Sequence, residues 1–215
     1  MQKSLKESFK YWQFIFYMPV YLFFFFLVER RTPEVTLINI PLDDKIPFVE
    51  GFIVPYFLWF PFMAAAIVYV FFKGKKEFFA MCWTLIIGMS LFIAVSLVFP
   101  NGLDLRPDVM PRDNIFTRMV AYLYSIDTPT NVIPSIHVFN SLACGISMGR
   151  VLQFRGHKKT AIASYGMAAL ICISTVFVKQ HSVIDVLAAL LLYGLCLLLL
   201  RRLYQYEADD KGNNV

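Results

Sequence analysis

Long runs of apolar residues constrain the fold of this chain more than any other feature of its sequence. Hydrophobic residues make up 58% of its 215 residues, whereas charged residues make up only 16%. A soluble domain of this size carries roughly a quarter charged residues. Because the apolar runs are about 20 residues long, each run can cross a bilayer as a helix. The sequence therefore predicts an integral membrane protein.

Six such runs can be counted, which predicts an all-α protein with six transmembrane helices in a bundle. The runs form a single membrane domain over residues 1–215, with no soluble domain appended. They lie near residues 11–28, 52–72, 78–99, 133–151, 160–178 and 182–200. The first run ends in Glu29-Arg30-Arg31 without a small-residue cleavage site, so we expect a retained helix rather than a signal peptide.

The charges of the loops predict the orientation of these spans. Basic residues concentrate in the N-terminal tail, the second loop, the fourth loop and the C-terminal side: Lys3, Lys6, Lys10, Lys73, Lys75, Lys76, Arg155, Lys158, Lys159, Arg201 and Arg202. The positive-inside rule then places both termini in the cytoplasm, in a multi-pass protein of the cell membrane. The formal net charge of +5 is explained by these loops and does not call for a nucleic-acid partner.

Under this topology every polar patch falls on the opposite, extracytoplasmic face. The longest connection, near residues 100–132, contains a stretch at 116–124 that we expect to form a short interfacial helix. The candidate functional residues of this face are Arg106 after the third span, Ser135, Ile136 and His137 at the start of the fourth, and Lys179, His181 and Asp185 between the fifth and sixth.

The pair His181 and Asp185 has the spacing of two residues on one helix face. A carboxylate in that position holds one imidazole nitrogen as N–H and leaves the other free to attack an electrophile. An Asp inside an apolar span is costly without a partner and by default suggests function. The alternative is structural: Asp185 caps the turn or pairs with Lys179.

The segment around His137 has the features of an anion site at a helix start. Pro134 suits the first turn of a helix, so the amides of Ser135, Ile136 and His137 would point outward from a positive helix end. The alternative for His137 is an interfacial histidine satisfied by a backbone carbonyl.

Arg106 and Lys179 would add fixed positive charge for phosphate oxygens. The alternative for Arg106 is a solvated loop cation or an anchor to lipid headgroups. Metal binding by His137, His181 and Asp185 is conceivable, but the flanking cations would repel a metal ion. We therefore expect no metal and no cofactor, and His157, on the cytoplasmic side, should have no catalytic part.

The chain contains the motifs Arg-Pro, Pro-Ser-x-His and His-x-x-x-Asp in this order, over about the third to sixth spans. This series resembles the motifs of the type 2 phosphatidic acid phosphatase superfamily. Three family positions differ: Phe99 stands for the usual Lys of the first motif, Ile136 for the Gly of the second, and Thr175 for the Arg of the third. Lys179 is a candidate replacement for the missing cations. These departures, together with residues 40–48, are similar to the branch of inositol phosphorylceramide synthase and sphingomyelin synthase relatives.

The resemblance implies a role for each site residue. His181 would attack phosphorus and form a phosphohistidine, oriented by Asp185, while His137 would protonate the leaving lipid oxygen and then activate the acceptor. The phosphate oxygens would be held by Arg106, Lys179, Ser135 and the amide of Ile136.

The implied function is a metal-independent membrane phosphatase acting on a phosphomonoester or diphosphate lipid. Two alternatives stay open: a lipid phosphotransferase that passes the headgroup phosphate to an alcohol, and a non-catalytic lipid transporter or scaffold. The expected partners are a lipid phosphate and the bilayer, and the sequence does not indicate an oligomeric state.

Overall fold

The structure, a computed structural model, describes residues 2–31 and 34–200, and in the first helix it describes the side chains of residue 11 and of residues 13 onward. The predicted cytoplasmic cations in the N-terminal tail and at positions 201 and 202 lie outside the described side chains. The elements, in chain order, are α1 (Gln2–Glu29), β1 (Thr36–Leu37), α2 (Pro41–Lys45), a 3-10 turn (Glu50–Phe52), α3 (Ile53–Phe57), α4 (Trp59–Lys73), α5 (Lys75–Val98), β2 (Asn101–Gly102), α6 (Ile115–Ile126), α7 (Ile136–Phe154), α8 (Lys158–Phe177) and α9 (Val183–Leu199).

Helices lie at each of the predicted apolar runs. Within the described part of the chain, three helical segments are long and apolar enough to cross a membrane: Glu50–Lys73, Lys75–Val98 and Lys158–Phe177. Shorter apolar helices cover Gln13–Glu29, Ile115–Ile126 and Val183–Leu199. These helices support a membrane protein, whereas the count of six spans stays a prediction. The short helix expected at 116–124 is present as α6, whose N-cap Asn114 accepts hydrogen bonds from the amides of Phe116 and Thr117.

Helix α7 lies at the centre of the bundle and packs against α4, α5, α8 and α9. Small residues allow this close packing. A Cβ added to Gly145 would lie 2.6 Å from the Ala168 Cβ, and Ser164 Oγ donates to the Gly145 carbonyl at 2.8 Å. Gly88 of α5 makes room in the same way for the ring of Phe139. Surrounded by other helices, α7 is shielded from lipid, and it carries His137 in its first turn.

One end of the bundle is closed by the connecting segments. Strands β1 and β2 pair in parallel, and a single bridge joins Gly102 to Thr130. The fully buried Asn101 accepts hydrogen bonds from the amides of Val132 and Ile133, just before α7. The carboxylate of Glu29, at the end of α1, accepts from Thr128 and Asn131. These contacts gather the ends of α1 and α5 around the start of α7.

Candidate active site

The nucleophile candidate, His181, is positioned by the way α8 ends. Lys179 adopts a left-handed backbone conformation with φ 56°, and the amides of Gln180 and His181 both donate to the Thr175 carbonyl, at 3.0 and 3.1 Å. The chain thereby reverses within a few residues, and α9 begins directly after its N-cap Ser182. His181 is 5% exposed, so the reversal places an imidazole in a buried position at the junction of two helices.

Asp185 contacts both the helix start and the imidazole. Its Oδ2 atom accepts from the amide of Ser182 at 3.1 Å and lies 3.2 Å from His181 Nδ1. The predicted orientation of His181 and the structural alternative of a turn cap are therefore both present. The other alternative, a pair between Asp185 and Lys179, is not formed, because the Lys179 ammonium contacts α2 instead.

The two histidines, 44 positions apart in the chain, meet at this end of the bundle, with His137 Nδ1 lying 3.2 Å from His181 Nε2. An ionised carboxylate only accepts hydrogen bonds, so Asp185 assigns the proton of a neutral His181 to Nδ1. The bare Nε2 of His181 then accepts from His137 Nδ1–H. In this arrangement His137 has its second nitrogen, Nε2, free to accept.

Two aromatic residues that sequence reasoning missed surround His137. The hydroxyl of Tyr56 in α3 lies 3.2 Å from His137 Nε2, and its ring centroid is 4.9 Å from that of the imidazole. The Trp59 ring lies on α4 with its centroid 4.5 Å from the same imidazole. Aromatic residues make up 17% of the chain, so one Tyr and one Trp inside an aromatic span give no signal by themselves.

Arg106 reaches the site over the ring of Tyr124, at 4.4 Å from the guanidinium carbon to the ring centroid. It donates to the carbonyls of Tyr124 and Asp127 at 3.2 and 2.8 Å, and to Gln180 Oε1 at 2.7 Å. Burial lowers the pKa of Arg106, and the nearby Asp127 and tyrosines counter that shift. Among the described residues, the buried Arg106 Nε and Gln180 Nε2 find no hydrogen-bond partner. Both groups are donors that remain available to an anion.

Gln180 is another residue that sequence reasoning missed, because its uncharged amide gives no signal beside the charge of the neighbouring Lys179. The Lys179 ammonium donates to the carbonyls of Asp43 and Ile46, both at 2.6 Å. Burial lowers the pKa of Lys179, while Asp43 and Asp44 raise it. Within the described residues these contacts tie the cation to the α2 region and not to either histidine.

The start of α7 differs from the predicted anion site in one respect. Pro134 lies before the N-cap Ser135 and not inside the first turn, and α7 begins at Ile136. The amide of Ser135 donates to the Asp185 carbonyl at 3.3 Å, and its hydroxyl accepts from the Val138 amide at 3.3 Å. Ser135 thus joins α7 to α9, while the amide of Ile136 belongs to the first turn, where N–H groups have no intrahelical acceptor.

Asp43 of α2 fixes the start of α9 from outside. It is 1% exposed, and its Oδ2 atom accepts from Ser182 Oγ at 2.5 Å and from the Ile40 amide at 2.8 Å. Its Oδ1 atom accepts from the Val183 amide at 2.8 Å. A carboxylate at a helix N-terminus is favoured by the helix dipole. The segment at 40–48, which the sequence singled out only by resemblance, therefore holds the residue that follows His181.

The fold and this site define a helical membrane protein with a His–His–Asp chain beside a half-buried arginine. The chain belongs to the PAP2 superfamily, since the model of that family matches residues 101–209. The match confirms the resemblance to the type 2 phosphatidic acid phosphatases and includes Arg106, His137, His181 and Asp185. Members of this superfamily are generally phosphatases or phosphotransferases. Comparisons with curated proteins and with solved structures gave no significant match.

Proposed function

We propose that the protein is a membrane lipid-phosphate phosphatase that hydrolyses a phosphomonoester or diphosphate lipid through a phosphohistidine on His181. The observation that carries this proposal is the position of His181 between two partners, Asp185 on Nδ1 and His137 on Nε2, each at 3.2 Å. A nucleophile held by an orienting carboxylate and adjacent to an acid/base group is the arrangement that covalent catalysis requires. Membership of the PAP2 superfamily supports the general class of reaction.

In the first half-reaction, the lone pair on His181 Nε2 forms the N–P bond while the bond from phosphorus to the lipid oxygen breaks. The leaving oxygen takes the bond electrons and a proton from His137 Nδ1. His181 Nδ1–H stays bonded to Asp185, whose negative charge stabilises the positive charge of the phosphorylated ring. The contact between the two histidines has to open for this step, because the phosphorus enters between them.

The phosphate oxygens would be held by donors that are free of other partners. These are Arg106 Nε and Gln180 Nε2, together with the Ile136 amide in the first turn of α7. Arg106 supplies the positive charge, and preorganised donors of this kind stabilise the charge that develops in phosphoryl transfer. We assign Lys179 to holding the loop against α2, which leaves Gln180 in the place where the sequence predicts a second cation.

In the second half-reaction, water attacks phosphorus, His137 Nδ1 takes a proton from it, and the N–P bond electrons return to His181. The loop charges support a site on the extracytoplasmic face, with both termini cytoplasmic and the substrate in the outer leaflet. Labelling of Asp108→Cys in intact cells with a membrane-impermeant maleimide tests this orientation, because the outer loop should react and Lys158→Cys should not.

The phosphotransferase alternative shares the first half-reaction and differs only in the acceptor. A screen of the purified protein distinguishes hydrolysis from transfer. It uses a range of lipid phosphates, with and without alcohol acceptors, in the presence of chelator. Phosphate release without an alcohol supports hydrolysis, and strict dependence on the alcohol supports transfer. Loss of activity with chelator would contradict the metal-independent mechanism.

The covalent intermediate is tested directly by quenching the reaction of radiolabelled phosphate lipid in alkaline detergent, because the N–P bond of phosphohistidine hydrolyses in acid. We expect label on His181 that is stable to base and labile to acid. A transporter or scaffold would give no label and no product with any lipid phosphate.

A further inference from the structure

Tyr56 lies in the first half of the chain, outside the residues matched by the family model, yet it touches the acid/base histidine. It is 2% exposed, and its hydroxyl lies 3.2 Å from His137 Nε2. The Asp127 carboxyl group and the Arg106 guanidinium lie close enough to the same hydroxyl to interact with it electrostatically. Tyr56 therefore connects the buried imidazole to a carboxyl group in the loop after α6.

The position of each proton in the series Asp185, His181, His137 and Tyr56 follows from the role of Asp185 as a hydrogen-bond acceptor. Asp185 takes the Nδ1 proton of His181, and His137 Nδ1–H donates to the bare Nε2 of His181. His137 Nε2 is then an acceptor, so Tyr56 donates its hydroxyl proton to it. The Tyr56 oxygen is left with free lone pairs, and one of them accepts from Asp127 when that carboxyl group carries a proton.

A neutral His137 faces a problem when it acts as an acid. Giving up its one ring proton from Nδ1 would leave an imidazolate, and starting from an imidazolium would bury a charge between the rings of Tyr56 and Trp59. Both costs are avoided if His137 gains a proton at Nε2 while it loses one at Nδ1. The hydroxyl of Tyr56 is placed to supply that proton.

We propose that Tyr56 is a proton-relay residue that, together with Asp127, switches the tautomer of His137 between the two half-reactions. In the first half-reaction the leaving oxygen takes the His137 Nδ1 proton, Nε2 takes the Tyr56 proton, and the Tyr56 oxygen takes the Asp127 proton. His137 becomes the Nε2–H tautomer with a bare Nδ1, which is the base needed for the acceptor. In the second half-reaction each proton moves back one place.

The surroundings of Asp127 fit this role. Burial raises the pKa of Asp127, which favours its protonated form relative to an ordinary Asp, while the nearby His181 and Arg106 oppose the shift. Arg106 also lies close enough to Tyr56 to stabilise negative charge on its oxygen during the transfer. The relay rests on the proposed function for its chemistry, but the effect of Tyr56 on the His137 tautomer does not.

The kinetic test compares two leaving groups in single-turnover release experiments with Tyr56→Phe. Phosphatidic acid needs a proton on its leaving oxygen and p-nitrophenyl phosphate does not. We expect the variant to slow the lipid by about 10²-fold and the aryl ester by less than ~3-fold. In mixtures of H2O and D2O, the wild-type rate on the lipid should show more than one transferring proton, and the variant rate should show one.

Two variants make this comparison decisive. Asp127→Asn keeps the shape of the side chain but has no carboxyl proton, so it should give the same leaving-group pattern as Tyr56→Phe. Tyr17→Phe removes a hydroxyl that bonds to the Ile86 carbonyl and Ser90, away from the site, and should match the wild type. Equal slowing of both substrates, or no slowing of either, would overturn the relay.

A second measurement reads the tautomer without any turnover. The chain has 3 histidines, so 15N-histidine NMR of the purified protein gives three rings to assign. We expect His137 to be protonated on Nδ1 in the wild type and to become a mixture of tautomers in Tyr56→Phe. An unchanged His137 signal would overturn tautomer control by Tyr56. If the wild type turns over no phosphate at all, the proposed function fails, and this spectrum still decides the role of Tyr56.

Discussion

The two halves of the chain contribute to the site in different ways. In the second half, from residue 101 onward, the proposed reactive groups contact one another, His181 and Asp185 at a separation of four and His137 and His181 at a separation of 44. The first half acts over long distances in the chain: Tyr56 contacts His137 at a separation of 81, and Asp43 contacts Ser182 at a separation of 139. In the proposed mechanism the second half therefore carries the nucleophile and the phosphate-binding groups, whereas the first half orients them and, through Tyr56, relays a proton.

The comparison shows that each histidine is positioned by contacts with residues from both halves of the chain. His181 has Asp185 on its own helix, and the residue after it is fixed by Asp43 of α2. His137 follows the cap of α7 and is contacted by Tyr56 of α3. If this division is correct, variants of the second half should abolish the chemistry, whereas variants of the first half should weaken it.

The largest effect is expected for His181→Asn in the second half. The variant keeps a polar side chain but has no nucleophilic nitrogen, so turnover of a lipid phosphate should fall by about 10⁴-fold or more. The measurement is phosphate release by purified protein, with circular dichroism to check the fold. His157→Asn is the matched control, because His157 is exposed at the N-cap of α8. Activity of His181→Asn within tenfold of the wild type would contradict the mechanism.

A smaller loss is expected for Arg106→Lys. A lysine keeps the charge, but it cannot reproduce the fork that contacts two carbonyls and Gln180 while leaving Nε free. We expect kcat/KM to fall by ~10²–10³, comparable to removing one preorganised donor. Arg118→Lys is the control, because the Arg118 side chain is 70% exposed and pairs with Asp113. Equal activity of both variants would remove Arg106 from the phosphate site.

The comparison also explains how far the sequence could predict this site. His137, His181, Asp185 and Arg106 could be identified because polar residues are rare in an apolar chain. Their neighbours from the first half could not, since hydrophobic periodicity gives no information about which helices touch.

Local geometry limited the prediction in two further places. The sequence predicts that Lys179 contacts the phosphate, but its left-handed conformation presents Gln180 to Arg106, and its own ammonium donates to a backbone carbonyl of α2. The second predicted span is a 3-10 turn followed by α3 and α4, which are separated at Leu58. A sequence signal for that break is Pro61, which has no N–H to donate to the Phe57 carbonyl, and the break lies between the two aromatic residues that contact His137.

Asp43→Asn tests whether the first half orients the nucleophile. The amide would present N–H groups to donors that now bond to a buried carboxylate, so the start of α9 should shift. We expect kcat to fall by ~10–10²-fold, the size of effect that a misplacement of about 1 Å produces. The measurement is lipid phosphate turnover together with the thermal midpoint in detergent.

The neighbouring Asp44 provides the control for that variant. Asp44 is exposed, so Asp44→Asn changes the local charge near Lys179 by the same amount without removing the bonds to α9. If both variants lose activity equally, the effect is one of charge and not of position. If neither loses activity, α2 does not orient His181 and the division between the halves fails for this histidine.

The smallest effect on turnover is expected for Gly88→Ala, at the contact between α5 of the first half and α7 of the second half. A Cβ on Gly88 of α5 would lie 2.1 Å from the ring of Phe139, which is 1% exposed on α7 and has no room to move. Gly88→Ala should therefore destabilise the protein by about 1–3 kcal/mol through overpacking. The measurement is the thermal midpoint, with turnover below that midpoint as the second readout.

Gly166→Ala on α8 separates this contact from the general effect of replacing a helical glycine. A Cβ at Gly166 meets nothing within 4 Å, so its variant reports only the change in backbone freedom. A lower midpoint for Gly88→Ala alone would show that α5 and α7 pack as one body. His137 lies in the first turn of α7 and is held there by Tyr56 and His181. We therefore expect kcat of Gly88→Ala at low temperature to stay near the wild-type value. A large loss of kcat would mean that the first half controls the site through helix packing as well as through its polar contacts.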